Sequence, residues 1–141
     1  MDDTLTDIAT RLRRSIARLN RRLRLSATGP ISPAQVAILA WLDKNESLTL
    51  GELASFEQVR PPSITPLVNV LNAEGLVSSA KDATDRRSTR VTLTPKGRKE
   101  LNAIRRRRTE FLERKLLALS PADRDKAAEL VAFLETLLEE S

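Results

Sequence analysis

Residues 60–94 read RPPSITPLVNVLNAEGLVSSAKDATDRRSTRVTLT, and this stretch decides the fold. Ile64, Leu67, Val68 and Leu71 recur every three or four positions, so they share one face of a helix packed on a core. Ser63, Thr65 and Asn69 fall off that face. Gly75 suits the left-handed position just past a helix C-terminus, which ends the helix near Glu74. Residues 77–81 and 89–93 alternate or are β-branched, while Asp82 to Ser88 between them is polar and turn-prone. A helix followed by a hairpin with a basic tip is the expectation, and such a pair is suited to contact DNA.

Upstream, two short helices are announced by their caps. Ser32-Pro33-Ala34-Gln35 offers an N-cap, a proline at the first helical position and a Gln at capping-box spacing. Val36, Ile38, Leu39, Ala40 and Leu42 make that helix apolar on more than one side, hence central; Trp41 reads as core rather than as a ligand stack. Leu48 is a short apolar approach to Thr49-Leu50-Gly51-Glu52, a second capping box opening a helix through Leu53, Ala54 and Phe56. Helix, short turn with Val59 and Arg60, then a helix with polar residues at its start is a helix-turn-helix, and the hairpin makes it winged.

Longer helices flank this unit. Asp3 or Thr4 can cap a helix with the stripe Leu5, Ile8, Leu12, Ile16, Leu19 and Leu23, running to about Ser26. Seven arginines crowd its other faces, which suits a solvated surface, phosphate contacts or ion pairs with an acidic partner helix. Thr94-Pro95-Lys96-Gly97 caps another helix, with Leu101, Ile104, Phe111, Leu112 and Leu116 inward. Arg105 to Arg108 step by about 100° each, so at least one lies near the apolar seam, where ion pairing is favoured over DNA contact. Ser120-Pro121-Ala122-Asp123 caps the last helix, whose stripe includes Leu130, Val131, Leu134, Leu137 and Leu138. These faces exceed what a small winged-helix core needs, so Leu5, Ile8, Leu12, Leu130, Leu134 and Leu137 are expected in a homodimer interface.

A chain of 141 residues is expected to fold as one unit, with net charge +5. Residues 1–118 carry 22 Lys and Arg against 13 Asp and Glu, and residues 119–141 carry 2 against 6, so the basic surface lies in the body of the chain. Such a surface favours a polyanionic partner. No run approaches a membrane span and MDDTLTDI does not look like a signal peptide, so a cytoplasmic protein without membrane association is expected. Without Cys or His, the commonest metal ligands, general base and redox switch are missing. Neither an enzyme nor a cofactor or metal site is expected.

Three pieces of local sequence, PPSITPLVNVLNAEGLV, DATDRRSTRVTLT and TPKGRKEL, together with the order of elements, resemble the MarR family of winged-helix transcription regulators across essentially the whole chain. The resemblance implies a mainly α fold with a small β-hairpin wing. A winged region at 31–94 would be flanked by helical dimerisation segments at 1–27 and 95–141. It also implies recognition helices in successive major grooves of double-stranded DNA at a pseudo-palindromic site, with wings in the flanking minor grooves. Asp85 would pair with Arg87 and direct its guanidinium into a narrow groove, while Lys81, Arg86 and Arg90 would add phosphate contacts or local charge. In the recognition helix, Pro62, Ser63, Thr65 and Asn69 are the candidate DNA contacts, and Pro66 stands where the family commonly has a basic residue. Base reading by short polar groups discriminates modestly, so shape reading by Arg87 is expected to carry a large share of specificity.

Repression by occlusion is the expected mode. Release by a small aromatic or anionic molecule wedged between dimer helices and winged domain is a further implication of the resemblance, although no residue pattern marks a pocket. Two other functions stay open at this point: nonspecific nucleic-acid binding, and a protein-interaction module whose basic surface meets an acidic partner.

Overall fold

The computed structural model describes residues 3–27 and 29–139. Its elements in chain order are α1 (Asp3–Ser26), α2 (Pro33–Lys44), β1 (Leu48–Thr49), α3 (Leu50–Phe56), α4 (Pro61–Ala73), β2 (Val77–Lys81), β3 (Thr89–Leu93), α5 (Pro95–Leu117) and α6 (Pro121–Glu139). The fold is mainly helical with one small antiparallel sheet. Both capping boxes form: the Ser32 and Thr49 hydroxyls accept from the Gln35 and Glu52 amides, and those side chains accept in return from the cap amides. Thr94 caps α5 by accepting from the Gly97 amide, and Ser120 accepts from the Asp123 amide at the start of α6. At the other end of the chain Asp3 and Thr4 are both already helical, so neither acts as the N-cap, and the residues before them lie outside the described ones.

Leu48 and Thr49 are more than an apolar approach. They form a third strand on β3, with Leu48 opposite Val91 and Thr49 opposite Arg90, giving the order β1-β3-β2. The hairpin itself pairs Val77 with Leu93 through Lys81 with Thr89.

The core lies inside the winged unit and the first half of α5. Ile38, Leu39, Leu53, Ile64, Leu71, Val91, Leu101 and Ile104 are its largest fully buried side chains, each stabilising the fold by about 1.5–3 kcal/mol relative to exposure. Trp41 lies at the edge of this core. Its ring stacks on Phe56 at 4.8 Å and its Nε1 donates to Glu57 at 2.6 Å.

By contrast, α1 and α6 have no buried residue within this chain. Leu5 is 62% exposed and Leu138 75%; Ile8, Leu130 and Leu137 are exposed too, and Leu12 and Leu134 are half-buried. Of the arginine run, Arg105 pairs with Asp43 at 2.9 Å and Arg107 reaches Glu100 at 3.7 Å, so ion pairing does occur there.

Candidate nucleic-acid interface

The helix-turn-helix is formed by α3 and α4, and both helices end in the same way. The Val59 amide donates to Ala54 and the Gln58 amide to Ser55, a Schellman turn that puts Gln58 at φ 57°, where glycine is the usual residue. At the end of α4 the Leu76 and Gly75 amides repeat the pattern on Leu71 and Asn72, with Gly75 at φ 73°. The chain then turns directly into β2.

Fixed in this way, α4 buries Ile64, Val68 and Leu71 and turns the opposite face outward. Pro62, Ser63, Thr65, Pro66 and Asn69 are all exposed on it. Pro66 is inside the helix, so the Pro62 carbonyl four residues earlier lacks its intrahelical donor. The outward face offers hydroxyls and one amide but no cation. Arg60 at the N-cap position is exposed and makes no side-chain capping bond, and it is the nearest basic group in the chain order. It precedes the first helical residue, so helix periodicity does not place it.

Several contacts lock α4 to the wing and to α5. Asn72 donates from Nδ2 to Ser79 Oγ at 2.8 Å, joining the recognition helix to β2. Thr94 donates from Oγ1 to the Gly75 carbonyl at 2.7 Å, and Lys96 Nζ donates to the Glu74 carbonyl at 2.8 Å. A cation on those last carbonyls also complements the negative end of the helix dipole. A Cβ on Gly97 would stand 2.0 Å from the Leu76 carbonyl oxygen, so only glycine lets α5 pass this close. The Thr-Pro-Lys-Gly segment is therefore a joint between α4, the wing and α5.

The wing tip is held by two aspartates. Asp82 Oδ2 accepts from the Thr84 hydroxyl at 2.7 Å and the Asp85 amide at 2.9 Å, and Oδ1 accepts from Arg90 Nε at 2.6 Å. The Thr84 bond first, then Arg90 and the Asp85 amide, lower the Asp82 carboxyl to about 2, so it stays charged through the neutral range. Asp85 Oδ1 in turn accepts from the Arg87 amide at 3.1 Å and from Arg87 Nε at 3.4 Å. The Arg87 side chain is 95% exposed. Arg86 is exposed beside it, and Lys81 donates to the Arg86 carbonyl at 3.3 Å.

Arg90 lies elsewhere. Its guanidinium also donates to Ser47 Oγ at 2.9 Å, at the base of the wing rather than at its tip. Sequence reasoning missed Ser47 and Asp82. Asp82-x-Thr84-Asp85 is a turn-forming pattern that could have identified the second; nothing local marks the first.

The model of the MarR family matches residues 31–89, from the start of α2 to the beginning of β3. An HTH-type transcriptional regulator of Mycobacterium bovis is 32% identical over 142 residues, spanning 100% of this chain and 99% of that protein. The chain belongs to the MarR family. It is thus one of the winged helix-turn-helix transcription regulators, not an enzyme. The HTH-type transcriptional repressor MdtR of Bacillus subtilis is a further relative, 29% identical over 104 residues covering 74% of this chain and 67% of that protein. Among solved structures, a transcriptional regulator from Pseudomonas aeruginosa superposes with a TM-score of 0.83 at 30% identity, over 98% of this chain and 99% of that one. A MarR family protein from Bacillus stearothermophilus gives 0.76 at 26% identity over 99% of both chains.

Proposed function

We propose that this MarR-family chain is a homodimeric, sequence-specific DNA-binding repressor working in the cytoplasm. The observation that carries this reading is the placement of α4 and the wing tip on one braced body. The outward face of α4 bears Ser63, Thr65 and Asn69, and the exposed, carboxylate-directed Arg87 stands at the end of the adjoining hairpin. A helix of this width fits a major groove, and an arginine held at a hairpin tip fits a narrow, electronegative minor groove. In support of repression, the B. subtilis relative is named a repressor.

Dimerisation is supported by α1 and α6. Leu5, Ile8, Leu130 and Leu137 on their apolar stripes are exposed in the single chain, and their charges are complementary, with arginines on α1 and carboxylates on α6. Two copies related by a two-fold axis would read half-sites about one helical turn apart. No described helix is long and apolar enough to cross a membrane.

Relief by a small anionic molecule has one structural counterpart. A cavity of about 310 Å³ opens where the end of α1, the start of α2 and the second half of α5 come together, lined by Arg24, Leu25, Ala27, Ile31, Pro33 and Arg108. Burial and then the neighbouring Arg24 charge lower the Arg108 guanidinium's pKa, and its Nε has no hydrogen-bond partner. Two like charges over an apolar floor suit a carboxylate carried on a ring.

Binding of wild type and Arg87→Ala to the preferred operator and to random duplex tests the reading. A larger proportional loss on the operator is expected. Equal loss on both would instead favour a nonspecific nucleic-acid binder, whose affinity follows salt but little else; no binding by wild type would favour the protein-interaction module.

A further inference from the structure

The three strands of the sheet do not support the wing along its whole length. β1 contributes only two residues, and its last pairing is Thr49 with Arg90. Beyond that point, toward Thr89 and the tip, β3 has β2 as its single neighbour. Two-stranded ribbons twist more than wider sheets, and Arg90 stands where the wing becomes such a ribbon.

There the guanidinium makes three bonds to two parts of the fold. Nε donates to Asp82 at 2.6 Å, just past the end of β2, and Nη1 donates to Ser47 Oγ at 2.9 Å and its carbonyl at 3.5 Å, just before β1. Ser47 is 43 residues away in sequence and belongs to the connection out of α2, so it is part of the body and not of the hairpin. The Asp82 side chain is only 14% exposed, and its second oxygen begins the tip turn through Thr84 and the Asp85 amide. Asp85 then receives the Arg87 amide and Nε. A continuous run of hydrogen bonds therefore leads from Ser47 through Arg90, Asp82 and Asp85 to Arg87.

We propose that Arg90 is a positioning residue: by holding Ser47 and Asp82 together it sets the direction in which Arg87 leaves the wing, and it makes no contact with DNA itself. This rests on the DNA-binding reading above and sharpens it. Its Nε and Nη1 donors are directed to protein acceptors and are engaged before any phosphate arrives. Lysine would keep the charge but lacks the planar fork that reaches two acceptors at once.

A double-mutant cycle separates positioning from contact. Affinity for the best operator is measured for wild type, Arg87→Ala, Arg90→Ala, Arg90→Lys and the Arg87→Ala/Arg90→Ala pair, at two salt concentrations. Folding is checked by thermal melting. Arg87→Ala is expected to lose at least tenfold and Arg90→Ala three- to tenfold. Adding Arg90→Ala to Arg87→Ala should change affinity less than twofold and leave the salt slope of that variant unchanged. Arg90→Lys should resemble Arg90→Ala. Selection from randomised operators should show Arg90→Ala losing preference in the flanks that the wing meets while keeping it in the half-site centres.

Three results overturn the proposal. One is an Arg90→Ala loss of equal size with and without Arg87, together with a salt slope shallower by about one. Another is full rescue by Arg90→Lys; both mark a phosphate contact and leave the DNA-binding reading intact. A neutral Arg87→Ala removes the wing's role in binding, and positioning by Arg90 falls with it.

Discussion

Asp43 on α2 and Arg105 on α5 meet at 2.9 Å across 62 residues of sequence. The other carboxylate oxygen of Asp43 accepts from Arg98 at 3.0 Å, so one side chain joins the winged unit to two turns of the helix that leads away from it. Asp43→Asn leaves two guanidinium groups facing an amide. Because both arginines are substantially exposed, a modest loss of about 1 kcal/mol is expected. Urea unfolding at low and at high salt measures it, and screening should shrink the difference. A loss that is independent of salt would mean the pair acts through shape instead of charge.

Gly97 is the tightest of the four glycine positions. Besides the Leu76 oxygen, an added Cβ would meet Leu93 Cδ1 at 2.7 Å and the Leu76 carbonyl carbon at 2.9 Å. Backbone cannot rotate away as a flexible side chain can. Gly97→Ala is expected to destabilise the protein by about 3 kcal/mol, the upper part of the usual overpacking range. An unchanged denaturation midpoint would show that α5 can shift without cost.

Pro66 denies the Pro62 carbonyl its helical donor. Pro66→Ala restores that donor and removes the ring's clash, so stability should rise by about 1–3 kcal/mol. The exposed position means no core packing is lost. Thermal unfolding is the check, and a lower melting temperature would mean the helix start depends on the proline's rigidity.

The stripes of α1 and α6 are expected to meet a second copy. Leu5→Glu with Leu137→Glu places charge on both uncovered faces. Sedimentation should move from a dimer toward the 15.7 kDa of one chain, with DNA affinity falling in parallel because two linked half-site contacts become one. A wild-type protein that sediments as a monomer would contradict the dimer outright.

Local rules account for what the sequence revealed. Ser32 with Gln35 and Thr49 with Glu52 sit three residues apart, and the hairpin strands alternate within five residues, so caps and strand ends could be placed to the residue. Gly75 was recognisable because a left-handed residue after a helix nearly requires it. β1 escaped notice because two residues carry no period, and its existence depends on β3 some forty positions later. The roles of Arg90 and Asp43 were hidden for the same reason. An arginine in a basic wing looks like a phosphate ligand until Ser47 is brought beside it by the fold.

The separation of the proposed DNA-contacting groups from the exposed faces of α1 and α6 has a genetic consequence. A subunit altered at Arg87 keeps Leu5, Ile8, Leu130 and Leu137 and so would still assemble. In a cell making both forms, such subunits would draw normal ones into mixed pairs with a single competent wing. Alleles with a damaged wing would then behave as dominant, whereas alleles that spoil α6 would be recessive.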